Sequence, residues 1–141
     1  MKTGVLPFRI KNKIQRSRQN VFVPADFAAL SGYVQVLRVL KQMVDKGELI
    51  KLGQGIYAKS SKRNDGKIVP AGSIFLDIIP TALKKFGIKI LPSRAAIAYN
   101  SGKSTQLPTG RVMGVNKRVR RSISYNGVKF KFQTISQREL I

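Results

Sequence analysis

The stretch K46-GELIKLGQGIYAK-S60 decides how the first half of this chain is read. Two short apolar runs, Leu49-Ile50 and Ile56-Tyr57, flank Gly53-Gln54-Gly55, with lysines at Lys46, Lys51 and Lys59. This is the pattern of a tight β hairpin with a glycine tip. Upstream, Tyr33, Leu37, Leu40 and Val44, joined by Val36 and Met43, recur at helical spacing and predict a helix over 33–46 with those residues inward. Gly47 is placed to end it in a left-handed cap. Phe8 to Ser17 reads as a first helix, with Phe8, Ile10 and Ile14 apolar, "NVFV" (Asn20 to Val23) as a short strand, and Pro24 to Leu30 as a second helix opened by a proline. Three helices followed by a two-stranded hairpin is the element order of a winged helix-turn-helix, whose third helix enters the DNA major groove while the wing lies on the flanking backbone.

The bulk composition agrees. The 141 residues hold 27 Lys+Arg against 6 Asp+Glu, a formal charge of +21, with 43% apolar residues, enough for a core. A sequence pI near 11.1 points to a polyanionic partner, and nucleic acid comes first. There is no cysteine and no histidine. A zinc site and Ser-His-Asp or Cys-His catalysis are therefore not expected, and the scattered acids offer no metal-holding group for phosphoryl transfer. The expectation is a protein that is not an enzyme and takes no cofactor, metal or small-molecule ligand. The opening "MKTGVLPFRIKNK" has no continuous apolar region, so no signal peptide is expected, and "SIFLDIIPTAL" is too short to span a bilayer. Absent cysteines suit a reducing cytoplasm, where DNA binding would associate the chain with the nucleoid.

The fold class expected is α+β: a winged helix-turn-helix over 1–59, a polar linker over 60–72 ("SSKRNDGKIVPAG"), and a small α/β domain over 73–141 ending in a β hairpin. In the last part, 73–86 reads as a helix with Pro80 as a possible kink, 88–91 as a strand, 92–100 as a short helix and 111–115 as a strand. Asn126-Gly127 joins two alternating runs, 121–125 and 128–134, in a type I′ hairpin. "GKST" (Gly102 to Thr105) is not a P-loop, because Ile97 stands where that motif needs glycine.

Within the winged-helix reading, Gln35, Arg38 and Gln42 are the outward side chains with base-reading chemistry, since glutamine pairs with adenine and arginine with guanine. Tyr33, Lys41, Lys51, Gln54 and Lys59, and Lys11, Lys13, Arg16 and Arg18 of the first helix, are expected on phosphates. Arg111, Lys117, Arg118, Arg120 and Arg121 form a second basic patch that would lengthen the footprint. Tyr99, Tyr125, Phe130 and Phe132 have base-stacking chemistry, though alternate hairpin aromatics are more often core.

"VFVPADFAAL" (Val21 to Leu30) and "VLRVLKQMVDKGELIKLGQGIYA" (Val36 to Ala58) resemble the N-terminal winged-helix domain of AbiEi-type antitoxins of bacterial type IV toxin–antitoxin systems. "KILPSRAAIAYNSGKSTQLPTGRVMGV" (Lys89 to Val115) and "SISYNGVKFKFQTIS" (Ser122 to Ser136) resemble the C-terminal part of that family's short members. The resemblance implies a transcriptional repressor that binds inverted repeats in its own promoter. It also implies a nucleotidyltransferase-like partner toxin, countered without a stable complex. Two other readings stand beside it: a nucleic-acid binder of low specificity, for DNA or structured RNA, and an interaction protein that holds a toxin directly.

Overall fold

A computed structural model describes residues 5–105 and 112–140. The fold is mixed α and β, with two compact units that divide after Ile78.

In the N-terminal unit, α1 (Val5–Arg16) is followed by β1 (Val21–Phe22), a 3-10 turn (Pro24–Phe27), α2 (Tyr33–Asp45), β2 (Leu49–Gly53), β3 (Ile56–Lys62) and β4 (Ile68–Pro70). The α1 helix buries Ile10 and Ile14, one turn apart, and α2 buries Val36, Val39, Leu40 and Met43. With Phe22, Phe27, Leu49 and Tyr57 these form one core. The core face of α2 is rotated from the expected one. Val39 is inward, whereas Tyr33 is 65% exposed. Phe8, one of the three apolar positions of the first helix, is 69% exposed. Ile10 and Ile14 alone face the core from the middle of α1, and Phe8 lies off their line. The predicted helix over 24–30 is only a turn. Pro24 opens it, and the Val23 N–H donates to the Asp26 carboxylate at 3.0 Å, which fixes the entry.

The hairpin is present, with β2 and β3 antiparallel and Gly55 at φ 75° in the tip. Such a positive φ suits glycine. On the other edge of β3, β1 pairs antiparallel through Val21↔Ala58 and Phe22↔Tyr57. The expected linker over 60–72 is structured. β3 continues to Lys62 and turns through Gly66 (φ 85°) into β4, which pairs back on it from Ser60↔Pro70 to Lys62↔Ile68. The Lys59 N–H donates to the Asn20 carbonyl (2.8 Å), while its carbonyl accepts from the Ala71 N–H (2.7 Å). The two groups of one strand residue point the same way, so β1 and β4 lie end to end along one edge of β3. Asn20 Nδ2 donates to Asp77 Oδ2 (2.9 Å) across Gly72, closing that junction.

A π-helical turn (Ile74–Ile78), capped by Ser73 Oγ accepting from the Leu76 N–H (3.1 Å), leads into α3 (Ile79–Lys85). Pro80 has no N–H for the Leu76 carbonyl, and the backbone just upstream takes the wider π spacing instead of a simple kink. The C-terminal unit continues with β5 (Ile90–Leu91), α4 (Arg94–Asn100), β6 (Val112–Val115), β7 (Ser124–Tyr125), β8 (Val128–Lys129), β9 (Lys131–Thr134) and a closing 3-10 turn (Gln137–Leu140). Asn126 (φ 54°) and Gly127 (φ 80°) form the expected I′ turn between β7 and β8. The hairpin stops there. After Phe130 the chain leaves it, and β9 pairs parallel with β6 in a β5-β6-β9 sheet. The described chain therefore ends on a helical turn and not on the hairpin.

Candidate nucleic-acid interface

The outward side of α2 carries the side chains with base-reading chemistry. Val34, Arg38, Lys41 and Asp45 fall at i, i+4, i+7 and i+11, one line along the helix, with Gln35 and Gln42 beside it. All six are exposed. Gly32 supplies the N-cap in extended conformation and offers no side chain to cover the first turn. The Arg38 guanidinium donates to Gln35 Oε1, so these two side chains are already aligned with each other. Val34, 72% exposed, and Tyr33 stand at the same end. The sequence reading did not single out Val34. Its helical offset from Arg38 and Lys41 was the available signal.

The hairpin side of α2 holds a buried phenol, Tyr57. Burial, and secondarily the neighbouring Tyr33, raise the Tyr57 phenol above its ordinary value and keep it neutral. Tyr57 lies opposite Lys51 in the β2–β3 ladder. Lys51 and Gln54 are exposed on the hairpin. Lys59 is not available in the same way. It is half-buried, and its Nζ donates to the Ser17 carbonyl at 2.9 Å, completing the end of α1.

The first-helix cations divide. Lys11 Nζ pairs with Glu48 at 2.6 Å, on the side of α1 that shares a groove with Lys59 and Ser60. Lys13 and Arg16 lie on another side, where they line a trough with Arg9, Asn12, Ser17 and Leu30. Arg18 is exposed beyond the helix end. Arg9 and Asn12 were not singled out from the sequence.

In the C-terminal unit, Lys117, Arg118 and Arg120 are exposed, and Arg111 lies outside the described residues. Arg121 departs from the expected patch. It is half-buried, with its guanidinium 4.0 Å from the Phe86 ring centroid, a cation–π contact that makes it part of the packing. Tyr125, Phe130 and Phe132 are half-buried and Tyr99 is exposed. Arg94 braces α4 through Glu139 (2.7 Å) and the Thr134 carbonyl (3.0 Å). Ser136 donates to the same carboxylate, and that backbone hydrogen bond, followed by Arg94, lowers the Glu139 pKa.

Among the described residues no group of His, Cys, Asp and Glu could hold a metal, and no helix is long and apolar enough to cross a membrane. No curated protein and no solved structure matches the chain. A model of a family of unknown function, DUF6088, matches residues 9–141. Because that match runs over nearly the whole length, the chain belongs to the DUF6088 family.

Proposed function

We propose that this protein is a sequence-specific double-stranded DNA-binding repressor whose N-terminal unit works as a winged helix-turn-helix. The observation that carries the reading is the exposed line of Arg38 and Lys41 on α2, flanked by Gln35 and Gln42, with the Lys51 and Gln54 hairpin following directly in the chain. A helix is about 10–12 Å wide and the major groove about 12 Å. The 13 residues of α2 span roughly 20 Å, enough to present two or three side chains to successive bases. In this reading Gln35, Arg38 and Gln42 contact base edges. Tyr33 and Lys41, with Lys51 and Gln54 at the wing, hold phosphates. Asp45, the acid on the same line, ends the helix and would repel phosphates, so in this reading α2 enters the groove with its N-terminal end leading.

The resemblance to AbiEi-type antitoxins extends the proposal. The operator is an inverted repeat in the protein's own promoter, and the protein acts in the cytoplasm at the nucleoid. A nucleotidyltransferase-like toxin is countered without forming a stable complex.

The test is a titration of the chain against its own upstream promoter duplex and a scrambled duplex, at low and near-physiological salt. A preference of about a thousandfold or more at the higher salt is the expected result. Arg38→Ala should cost about 1–3 kcal/mol on the promoter and relax specificity. Equal binding that collapses with salt would replace this reading with a second one, a nucleic-acid binder of low specificity. What favours that second reading is the spread of exposed cations well beyond α2, including Lys62, Arg63 and Lys67 of the β3–β4 hairpin and Lys117, Arg118 and Arg120.

A further inference from the structure

We propose that the trough along α1 lined by Arg9, Asn12, Lys13, Arg16, Ser17 and Leu30 is a phosphate-binding site that grips the DNA backbone beside the start of α2. The proposal rests on the double-stranded DNA reading above and adds to it a site and two residues, Arg9 and Asn12. Arg9, Lys13 and Arg16 recur at i, i+4 and i+7, with Asn12 at i+3, so one face of α1 carries them all. Like charges at this spacing repel, and an isolated helix gains nothing from keeping three of them together. No carboxylate lines the trough. Among the described residues Arg9 and Arg16 have no acidic partner.

Lys13 is held in place without being neutralised. Its ammonium donates to the Asp26 backbone carbonyl and stands 5.7 Å from the Phe27 ring centroid. Both are uncharged partners, and an ammonium has further donors to give. Asn12 adds an amide donor. The Ser17 hydroxyl accepts from the Gln19 N–H (3.1 Å) and keeps its own hydrogen to donate. The result is three positive charges, two on planar guanidinium forks suited to phosphate, with neutral donors between them. The contrast with the other side of α1 is direct, since there Lys11 is paired to Glu48.

Position supplies the second argument. Leu30 at the wall of the trough is two residues before Gly32, the N-cap of α2. Two residues span at most about 7 Å. A strand lying in the trough therefore passes next to the end of α2 that faces the bases. Contacts of this kind fix register and orientation and carry no sequence information themselves.

The test uses the full chain with the double variant Arg9→Gln/Arg16→Gln, the double variant Arg9→Lys/Arg16→Lys, and Lys11→Gln. Each is titrated by fluorescence anisotropy against the promoter and scrambled duplexes across a salt series. For the Gln double variant the slope of log affinity against log salt should flatten by about 1.8, roughly 0.9 for each lost phosphate contact. Affinity should fall on both duplexes alike, leaving their ratio unchanged. The Lys double variant should keep the wild-type slope, and Lys11→Gln should match wild type. A wild-type slope in the Gln double variant, with promoter preference intact, overturns the trough and leaves the repressor reading standing. An equal loss in Lys11→Gln also overturns it, because charge alone and not the site would then be acting. Loss of promoter preference in wild type itself sinks the repressor reading, while a flattened slope in the Gln double variant would still support the trough.

Discussion

Comparing Lys59 with Lys51 tests whether a lysine of the hairpin region braces the fold or, as proposed for Lys51, meets DNA phosphates. Lys59 sits in the middle of β3, half-buried, with Nζ 2.9 Å from the Ser17 carbonyl. That carbonyl lies just past the end of α1 and has no later helical turn to pair with. Lys59→Met keeps the stem and removes the donor. A hydrogen bond to a charged group contributes about 1.5–3 kcal/mol net, and partial exposure lets water replace some of it, so the expected loss is about 1–1.5 kcal/mol. For a unit of this size each kcal/mol moves the midpoint by about 4–8 °C, giving a fall of roughly 4–12 °C in the transition of the N-terminal unit. The assay pairs thermal unfolding by circular dichroism with a salt series on promoter DNA. Lys51→Met is the comparison, because Lys51 is exposed on β2. The expected pattern is a lower midpoint and an unchanged salt slope for Lys59→Met. Lys51→Met should show the reverse, with the slope flattened by about 0.9. An unchanged midpoint with a flattened slope in Lys59→Met would refute the reasoning and return Lys59 to the phosphate contacts.

Gly72→Ala puts a Cβ 2.6 Å from Asp77 Oδ2 and 2.8 Å from Asn20 Nδ2, which breaks the bond between them. The expected cost is about 1–2 kcal/mol, and a double-mutant cycle with Asn20→Ala should be clearly less than additive. Gly114→Ala meets backbone, with Cβ 2.2 Å from the Pro92 carbonyl oxygen, so β5 and β6 must separate. Denaturant titration should show a loss of about 3 kcal/mol or more in the C-terminal unit. The Glu139 carboxyl is held below the usual glutamate value by the Ser136 N–H and by Arg94. Its stabilisation is therefore full above the ordinary carboxylate range and is lost as pH falls through the lowered value, and Glu139→Gln should flatten the acid limb of a pH–stability profile.

How much of this was legible in the sequence follows from what each interaction depends on. The bounds of α2 and the two glycine turns, at Gly55 and at Asn126-Gly127, come from local patterning, and the structure has them within a residue or two. The second hairpin was missed although Asp65-Gly66 is a turn signal of the same kind. Ser60, Ser61 and Lys62 pair through their backbone and all three side chains are polar, the Ser60 hydroxyl donating to the Glu48 carbonyl, so no apolar alternation marks the strand. The parallel β6–β9 pairing leaves still less trace, because it is set by the fold of the whole unit and not by a turn. The site shows the same divide. Gln35, Arg38 and Gln42 were readable as outward by periodicity. On α1 nearly every position that is not apolar is charged or amide-bearing, so periodicity ranks none above another. Only their partners sort them: Glu48 takes Lys11, while the Asp26 carbonyl fixes Lys13.

The acids make the sharper argument about what the surplus charge is for. Six acids could have been placed to quiet the most basic faces. Instead Glu48 pairs with Lys11 and Asp65 with Arg63. Asp26 accepts from the Val23 N–H, Asp77 bonds Asn20, and Glu139 holds Arg94 and Ser136. Each of these five fixes a turn, a junction or a brace, and none lies among Arg38, Lys41 and Lys51 or in the α1 trough. Asp45 alone shares the outward line of α2, at its last position, farthest from Val34 and Gln35. Unpaired like charges weaken a folded state through repulsion, and a bound polyanion that releases its counterions reverses the effect. By linkage, a ligand that relieves this repulsion stabilises the fold as it binds. The acids thus secure the scaffold and leave the helix face and trough with their positive field, the distribution that the proposed polyanionic partner requires.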